Sequence, residues 1–142
     1  MKLTRFAAAF LITSIAYLSP AAAEGRAEEK SQGSVRYATG GIGADEVAAF
    51  KAAAPQYPLE LLFAQKASPN DVYLADVKVI VKSASGQVLL DTVSGGPFLL
   101  VRLPAGKYRI EADSDGVVKQ QAVELKAGQH RRVVFVWEMP GG

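Results

Sequence analysis

PFLLVRLPAGKYRIEAD, residues 97–113, places two apolar-rich runs on either side of Pro104-Ala105-Gly106. In an extended chain successive side chains point to opposite faces. Phe98, Leu100 and Arg102 therefore share one side of the first run, and Leu99, Val101 and Leu103 share the other. That run is apolar on nearly both faces, as in a central strand whose outer face is partly covered. The second run alternates more cleanly, with Tyr108, Ile110 and Ala112 against Lys107, Arg109, Glu111 and Asp113. One wet face argues for an antiparallel sheet buried on a single side. Proline and glycine between two such runs predict an antiparallel hairpin with a short turn.

The neighbouring sequence is also written in strand-length pieces. Residues 35–38 suit a short strand, and residues 59–64 are apolar apart from Glu60. Residues 72–82 alternate Val77, Val79 and Val81 against Asp76, Lys78, Ile80 and Lys82. Ser83-Ala84-Ser85-Gly86 turns the chain into a strand over 87–93, and Ser94-Gly95-Gly96-Pro97 turns it again. Beyond the quoted stretch, Asp115-Gly116 precedes a strand over 117–125, and Ala127-Gly128 precedes one over 130–138. Residues 45–54 read as a short helix in which Val47, Phe50 and Ala54 share a side, with Asp45 and Glu46 at its positive end and Pro55 stopping it. Such a short helix is marginal alone and must dock on the sheets or pack against an edge. Strands at this spacing predict a mainly β fold: one antiparallel seven-stranded Greek-key β-sandwich over 35–138, with one short N-terminal helix at 45–54. Trp137 is expected near the end of its core.

The N-terminus reads as a targeting segment. Lys2 and Arg5 precede an apolar run over 6–18, and Ala21-Ala22-Ala23 offers a cleavage site, so residues 1–23 are expected to be a secretory signal peptide cut after Ala23. The run is shorter than the roughly 20 residues that span a bilayer. No transmembrane segment is expected after cleavage, and no cysteine offers a lipid attachment site. Without Lys2 and Arg5, the 16 basic residues fall to 14 and balance the 14 acidic ones. The apparent basicity thus belongs to the leader, and no nucleic-acid partner is implied. Zero cysteine removes disulfides, thiolate nucleophiles and thiolate metal ligands. Residues 24–34 are polar and aperiodic, as expected of a flexible mature N-terminus, and 139–142 read as a tail.

Gly86-Gln87-Val88-Leu89, then Leu103-Pro104-Ala105-Gly106-Lys107-Tyr108-Arg109-Ile110, then Gly116, and finally Leu125-Lys126-Ala127-Gly128-Gln129 carry a likeness. Together they resemble carboxypeptidase-regulatory-like domains, also described as transthyretin-like or prealbumin-like sandwiches. The resemblance covers about residues 75–137 and implies that Tyr108 packs in the core. It also implies a small secreted form in the periplasm and an accessory role. Some transthyretin-like proteins hydrolyse ureide-type rings with several histidines, an arginine and a C-terminal Tyr-Arg-Gly-Ser motif. This chain has one histidine, His130, and ends Met139-Pro140-Gly141-Gly142, so that activity is not carried over.

A serine triad would also need His130 as its base, but His130 opens a basic His-Arg-Arg run. Arg131 and Arg132 disfavour an imidazolium there, so His130 is expected to be an exposed residue at a strand start. Asp113, Asp115 and Glu111 are expected to cap and solubilise a tight turn; the twelve-residue calcium loop is absent. His130, Arg131, Arg132, Lys119 and Lys126 lack interleaved aromatics and read as a solvated strand face. No catalytic residue, metal ligand or cofactor is assigned.

The least stereotyped stretch is Thr39-Gly40-Gly41-Ile42-Gly43 with the following helix. It lacks the spacing and the Lys-Ser/Thr pair of a phosphate loop. Tyr37, Gly40, Gly41, Ile42, Gly43, Glu46, Phe50 and Tyr57 form the candidate interaction segment, expected to fold over a sheet edge. The expectation is a non-catalytic periplasmic binding or protein-interaction module with a protein or glycan partner in the envelope. A structural, envelope-maintenance factor is the alternative, and a small hydrolase a remote one.

Overall fold

In the computed structural model, which describes residues 27–139, the two runs around Pro104 do not pair with each other. The chain contains β1 (Glu29–Gln32), β2 (Val35–Gly40), α1 (Ala44–Ala53), a single 3-10 turn (Ala54–Gln56), β3 (Leu59–Gln65) and β4 (Val72–Tyr73). It continues with β5 (Lys78–Ser83), β6 (Val88–Val93), β7 (Phe98–Arg102), β8 (Gly106–Ser114), β9 (Val117–Leu125) and β10 (Arg131–Trp137). A six-stranded sheet runs β1-β2-β7-β3-β10, with β4 paired to β3; a four-stranded sheet runs β6-β5-β8-β9.

The expected seven-stranded antiparallel Greek-key sandwich is therefore incorrect. The described residues form ten strands in two separate sheets, and the larger sheet is mixed because β10 pairs parallel to β3 from Arg131↔Leu59 to Trp137↔Gln65. The expected hairpin is instead a crossing from one sheet to the other. β7 lies between β2 and β3, whereas β8 lies between β5 and β9. The residues explain the outcome. Phe98–Arg102 is buried on both faces for four of its five residues, so it belongs inside a sheet covered on both sides. Gly106–Ser114 alternates, which suits a sheet with one wet face. Between them the Tyr108 hydroxyl donates to the Pro104 carbonyl at 2.6 Å and fixes the crossing.

The run over 72–82 divides for a similar reason. β4 joins the larger sheet and β5 the smaller, with Asp76 at φ 60° between them. The buried Ser94 hydroxyl accepts from the Val77 amide at 3.0 Å, which satisfies the backbone where the chain changes sheets. Residues 24–34, read as flexible, contribute β1 over Glu29–Gln32, paired antiparallel to β2. The signal peptide and its cleavage site, residues 24–26 and residues 140–142 lie outside the described residues.

The inner faces of the two sheets share one core. Leu59, Leu61, Phe63, Leu99, Val101 and Phe135 of the larger sheet meet Val79, Val81, Leu90, Ile110 and Val123 of the smaller. Tyr108 and Trp137 are also buried there; Phe135 stacks on Phe63 and on Trp137 at 6.0 and 6.1 Å between centroids, and Phe63 meets Trp137 tilted at 6.3 Å. A second core lies on the outer face of the larger sheet, where Phe50 and Ala54 of the helical segment cover Ala38, Leu62, Phe98 and Leu100. The helix thus covers the sheet's face rather than folding over an edge. Phe50 and Phe98 stack at 5.8 Å.

Side chains pin the two sheets together along their sides. Gln32 of β1 donates to the Asp91 carbonyl at 3.0 Å and accepts from the Asp91 amide at 2.7 Å, occupying part of the open edge of β6. On the opposite side, the Trp137 indole N–H donates to the Val117 carbonyl of β9 at 2.9 Å.

Candidate functional site at the His130 end

The parallel pairing of β3 and β10 brings together residues seventy positions apart in the chain. The Arg131 amide donates to the Pro58 carbonyl at 2.8 Å and starts the ladder. One residue earlier, His130 Nδ1 lies 2.7 Å from the Tyr57 carbonyl, and its Nε2 lies 3.0 Å from Glu60 Oε1. A carbonyl only accepts, so Nδ1 carries a hydrogen and donates to it. Glu60 is buried, its side chain 9 % exposed against 31 % for His130. Arg132 of β10 stands directly across from Glu60, Nε to Oε2 at 4.0 Å.

His130 is exposed and immediately precedes β10, as expected of a strand-start residue, but its ring is not free. It is held at both nitrogens, and the β3 carboxylate lies 4.0 Å from Arg132. Glu60 was visible only as a break in an apolar run; nothing local links it to residue 130.

A second polar cluster lies nearby on the same outer face. Arg36 and Arg102 are directly opposed across β2 and β7, a like-charge pair that Glu29 of β1 bridges. Glu29 Oε2 accepts from Arg102 Nε at 2.9 Å and from the Tyr57 hydroxyl at 2.6 Å, and Oε1 lies 3.9 Å from Arg36. The Arg102 guanidinium sits 4.2 Å over the Tyr57 ring. Hydrogen bonds from Tyr57 and then Arg102 hold the Glu29 carboxyl below its usual range. Burial, followed by the Glu29 hydrogen bond, pushes the Tyr57 hydroxyl up to about 12.

Two concavities flank His130. One, of about 440 Å³, lies at the end of the molecule between Pro55–Pro58, Leu103–Ala105 and Leu125–His130. The other, of about 310 Å³, lies on the outer face of the larger sheet, lined by Lys51, Ala54, Pro55, Glu60, Tyr73, Phe98, His130 and Arg132.

The expected interaction segment is only partly assembled. Gly40, Gly41, Glu46 and Phe50 pack together: Glu46 Oε1 accepts from the Gly41 amide at 2.7 Å, and a side chain at Gly41, whose φ is 106°, would strike Phe98. Gly96 has the same role from the other side, since a Cβ there would meet the Gly40 backbone. These glycines serve close packing of two turns. Gly43 caps the helix, Ile42 is 61 % exposed, Tyr37 faces the inner core, and Tyr57 lies beyond the far end of the helix in the polar cluster. Of the segment, only Tyr57 borders a concavity at the His130 end.

Asp113 accepts from the Gly116 amide at 2.9 Å and closes the β8–β9 turn. Among the described residues, no three His, Cys, Asp or Glu side chains converge as a metal site would require, and no helix is long and apolar enough to cross a membrane. No protein-family model matches the chain. No curated protein matches it either.

Proposed function

We propose that the protein is a non-catalytic binding module of the cell envelope, exported to the periplasm, with its binding surface at the His130 end. The observation that carries this reading is the anchored imidazole. Nδ1 is engaged by the Tyr57 carbonyl and Nε2 by Glu60, so neither nitrogen is free to take a proton from a nucleophile. Around the ring, connections from three distant parts of the chain meet at the 440 Å³ cleft, whose walls mix Pro55, Pro58, Leu103 and Leu125 with Gln56, Lys126 and Gln129. Apolar walls with a few polar groups suit recognition of a ligand or a partner's side chain. The accessory role implied by the resemblance agrees with it, and the leader sequence supports export.

A fragment screen against the purified protein, read by amide chemical shifts, tests the reading. Hits are expected to converge on residues 55–58, 103–105 and 125–130. Hits confined to other surfaces, or turnover of any fragment that His130→Ala abolishes, would overturn it.

A further inference from the structure

The smaller concavity, on the outer face of the larger sheet, has an unbalanced charge. Glu60 is its one carboxylate among the described residues, and its Oε1 is engaged by His130 Nε2 at 3.0 Å. Against that one carboxylate stand two cations, Lys51 and Arg132. Lys51 forms no ion pair among the described residues; the positions four away on its helical segment are Val47 and Pro55, so no i,i+4 acid is available. Arg132 reaches only to 4.0 Å from Glu60 and keeps 55 % of its side chain exposed. Two cations from different elements, one on α1 and one on β10, therefore line the same 310 Å³ groove.

The rest of the wall is apolar or aromatic: Ala54, Pro55, Phe98 and Tyr73, whose ring packs on Phe98 at 6.1 Å. Tyr73 is 53 % exposed, so the ring presents a free surface beside the cations.

From this arrangement we propose that the groove binds a small organic oxyanion, a carboxylate or phosphate group on a flat apolar body. Its anionic group lies between Lys51 and Arg132, and its body lies against Tyr73. Arg132 supplies a planar fork of donors and Lys51 a point charge, which together suit an oxyanion. The groove shares Pro55 and His130 with the cleft at the end of the molecule, but neither Lys51 nor Arg132 lines that cleft.

The test is a titration of the purified protein with phenyl phosphate, benzoate and the neutral benzyl alcohol, followed by amide shifts at constant ionic strength. At least one anion is expected to give saturable shifts around Lys51, Tyr73 and Arg132, and the tighter of the two identifies the headgroup. Lys51→Gln and Arg132→Gln are each expected to weaken it about tenfold, while Lys126→Gln on the other cleft leaves it unchanged. Lys51 is exposed on a helix, so its substitution tests the site even where Arg132→Gln disturbs β10. Linear shifts for both anions, equal binding of benzyl alcohol, or affinity unmoved by Lys51→Gln would each overturn the proposal. Loss of fragment binding at the other cleft would not affect it.

Discussion

The two sheets share one core but meet water differently. The smaller sheet buries only its inner face. Its outer face carries the rows Val93–Lys78–Asp113–Val118 and Asp91–Ile80–Glu111–Gln120, where charge is laced through and Lys82 pairs with Glu111 at 3.1 Å. The larger sheet is covered twice, by the smaller sheet on one side and by Phe50 and Ala54 on the other. A polar group on its outer face is therefore either buried with a partner, as Glu60 is, or gathered at the margin of the helix, as Glu29, Arg102 and Arg132 are. Polar side chains gather where a doubly covered sheet runs out of cover.

The largest effect that sharpens this contrast comes from truncating aromatic residues on both faces of the larger sheet. Phe63→Ala on the inner face and Phe98→Ala on the outer face are each expected to cost about 3–5 kcal/mol, read from urea midpoints at unchanged slope. In the smaller sheet, Ile110→Ala on the inner face should cost about 2–5 kcal/mol. Ile80→Ala on the outer face should cost about 1 kcal/mol or less. An effect of Phe98→Ala as small as that of Ile80→Ala would mean that the helix does not seal the outer face, and rapid amide exchange across α1 would agree.

Carboxylates on the two outer faces provide the next comparison. Glu60→Ala removes a buried carboxylate from its contact with His130 Nε2, at an expected cost of about 1–3 kcal/mol. Glu111→Ala removes the Lys82 pair from a half-wet face and should cost about 0–1 kcal/mol. A double-mutant cycle of Glu60→Ala with His130→Ala should recover most of the first loss as coupling. Equal costs for the two glutamates would break the contrast.

The same difference in covering explains what could be read in the sequence. Alternation survives in Gly106–Ser114 and in Arg131–Trp137 because one side of each is wet or partly wet, and those strands were placed within a residue or two. The apolar run of Leu59–Gln65 and the run of Phe98–Arg102 have no wet side, so periodicity shows that they are buried but not which partners they take. Pro104-Ala105-Gly106 suits a crossing between sheets as well as it suits a hairpin, and only the burial of the flanking strands separates the two. β1 was missed because Glu29–Gln32 is entirely polar and exposed, an edge strand held by Gln32 and Glu29 rather than by burial. His130 was legible as the chain's one imidazole. Its partner was not, because parallel pairing of β3 with β10 is set by the packing of both sheets and by no local turn.

The edge devices rank below the core. Gln32→Ala removes two hydrogen bonds that tie β1 to β6, and the expected loss is about 1 kcal/mol because both partners are solvated after their release. Exchange of the Asp91 amide should accelerate by more than the global stability change explains. Asp91 exchanging no faster would mean that the side of the molecule is closed by the core alone.

The smallest expected effect is the pH dependence contributed by Glu29, which sits at the margin between covered and wet. Its carboxyl is held below the usual 4.5 by the Tyr57 hydroxyl and then by Arg102. A carboxyl lowered on folding adds stability that is fully present above its unfolded value and is lost as pH falls through the folded one. Tyr57 acts at the other end of the scale. Its hydroxyl is raised from 10.0 to about 12, so its contribution is complete below pH 10 and fades as pH rises toward 12. Glu29→Gln should therefore flatten the acid limb of the urea midpoint below pH 4.5 and, by removing the Glu29 charge and weakening its hydrogen bond to Tyr57, bring tyrosinate absorbance in at lower pH. Tyr57→Phe keeps the ring under Arg102 but removes the hydroxyl that does most to hold Glu29 down, so the acid limb should move up toward 4.5 rather than vanish. Identical acid limbs in wild type, Glu29→Gln and Tyr57→Phe would show that β1 is held by its backbone pairing to β2 and that the Glu29 cluster adds nothing to it.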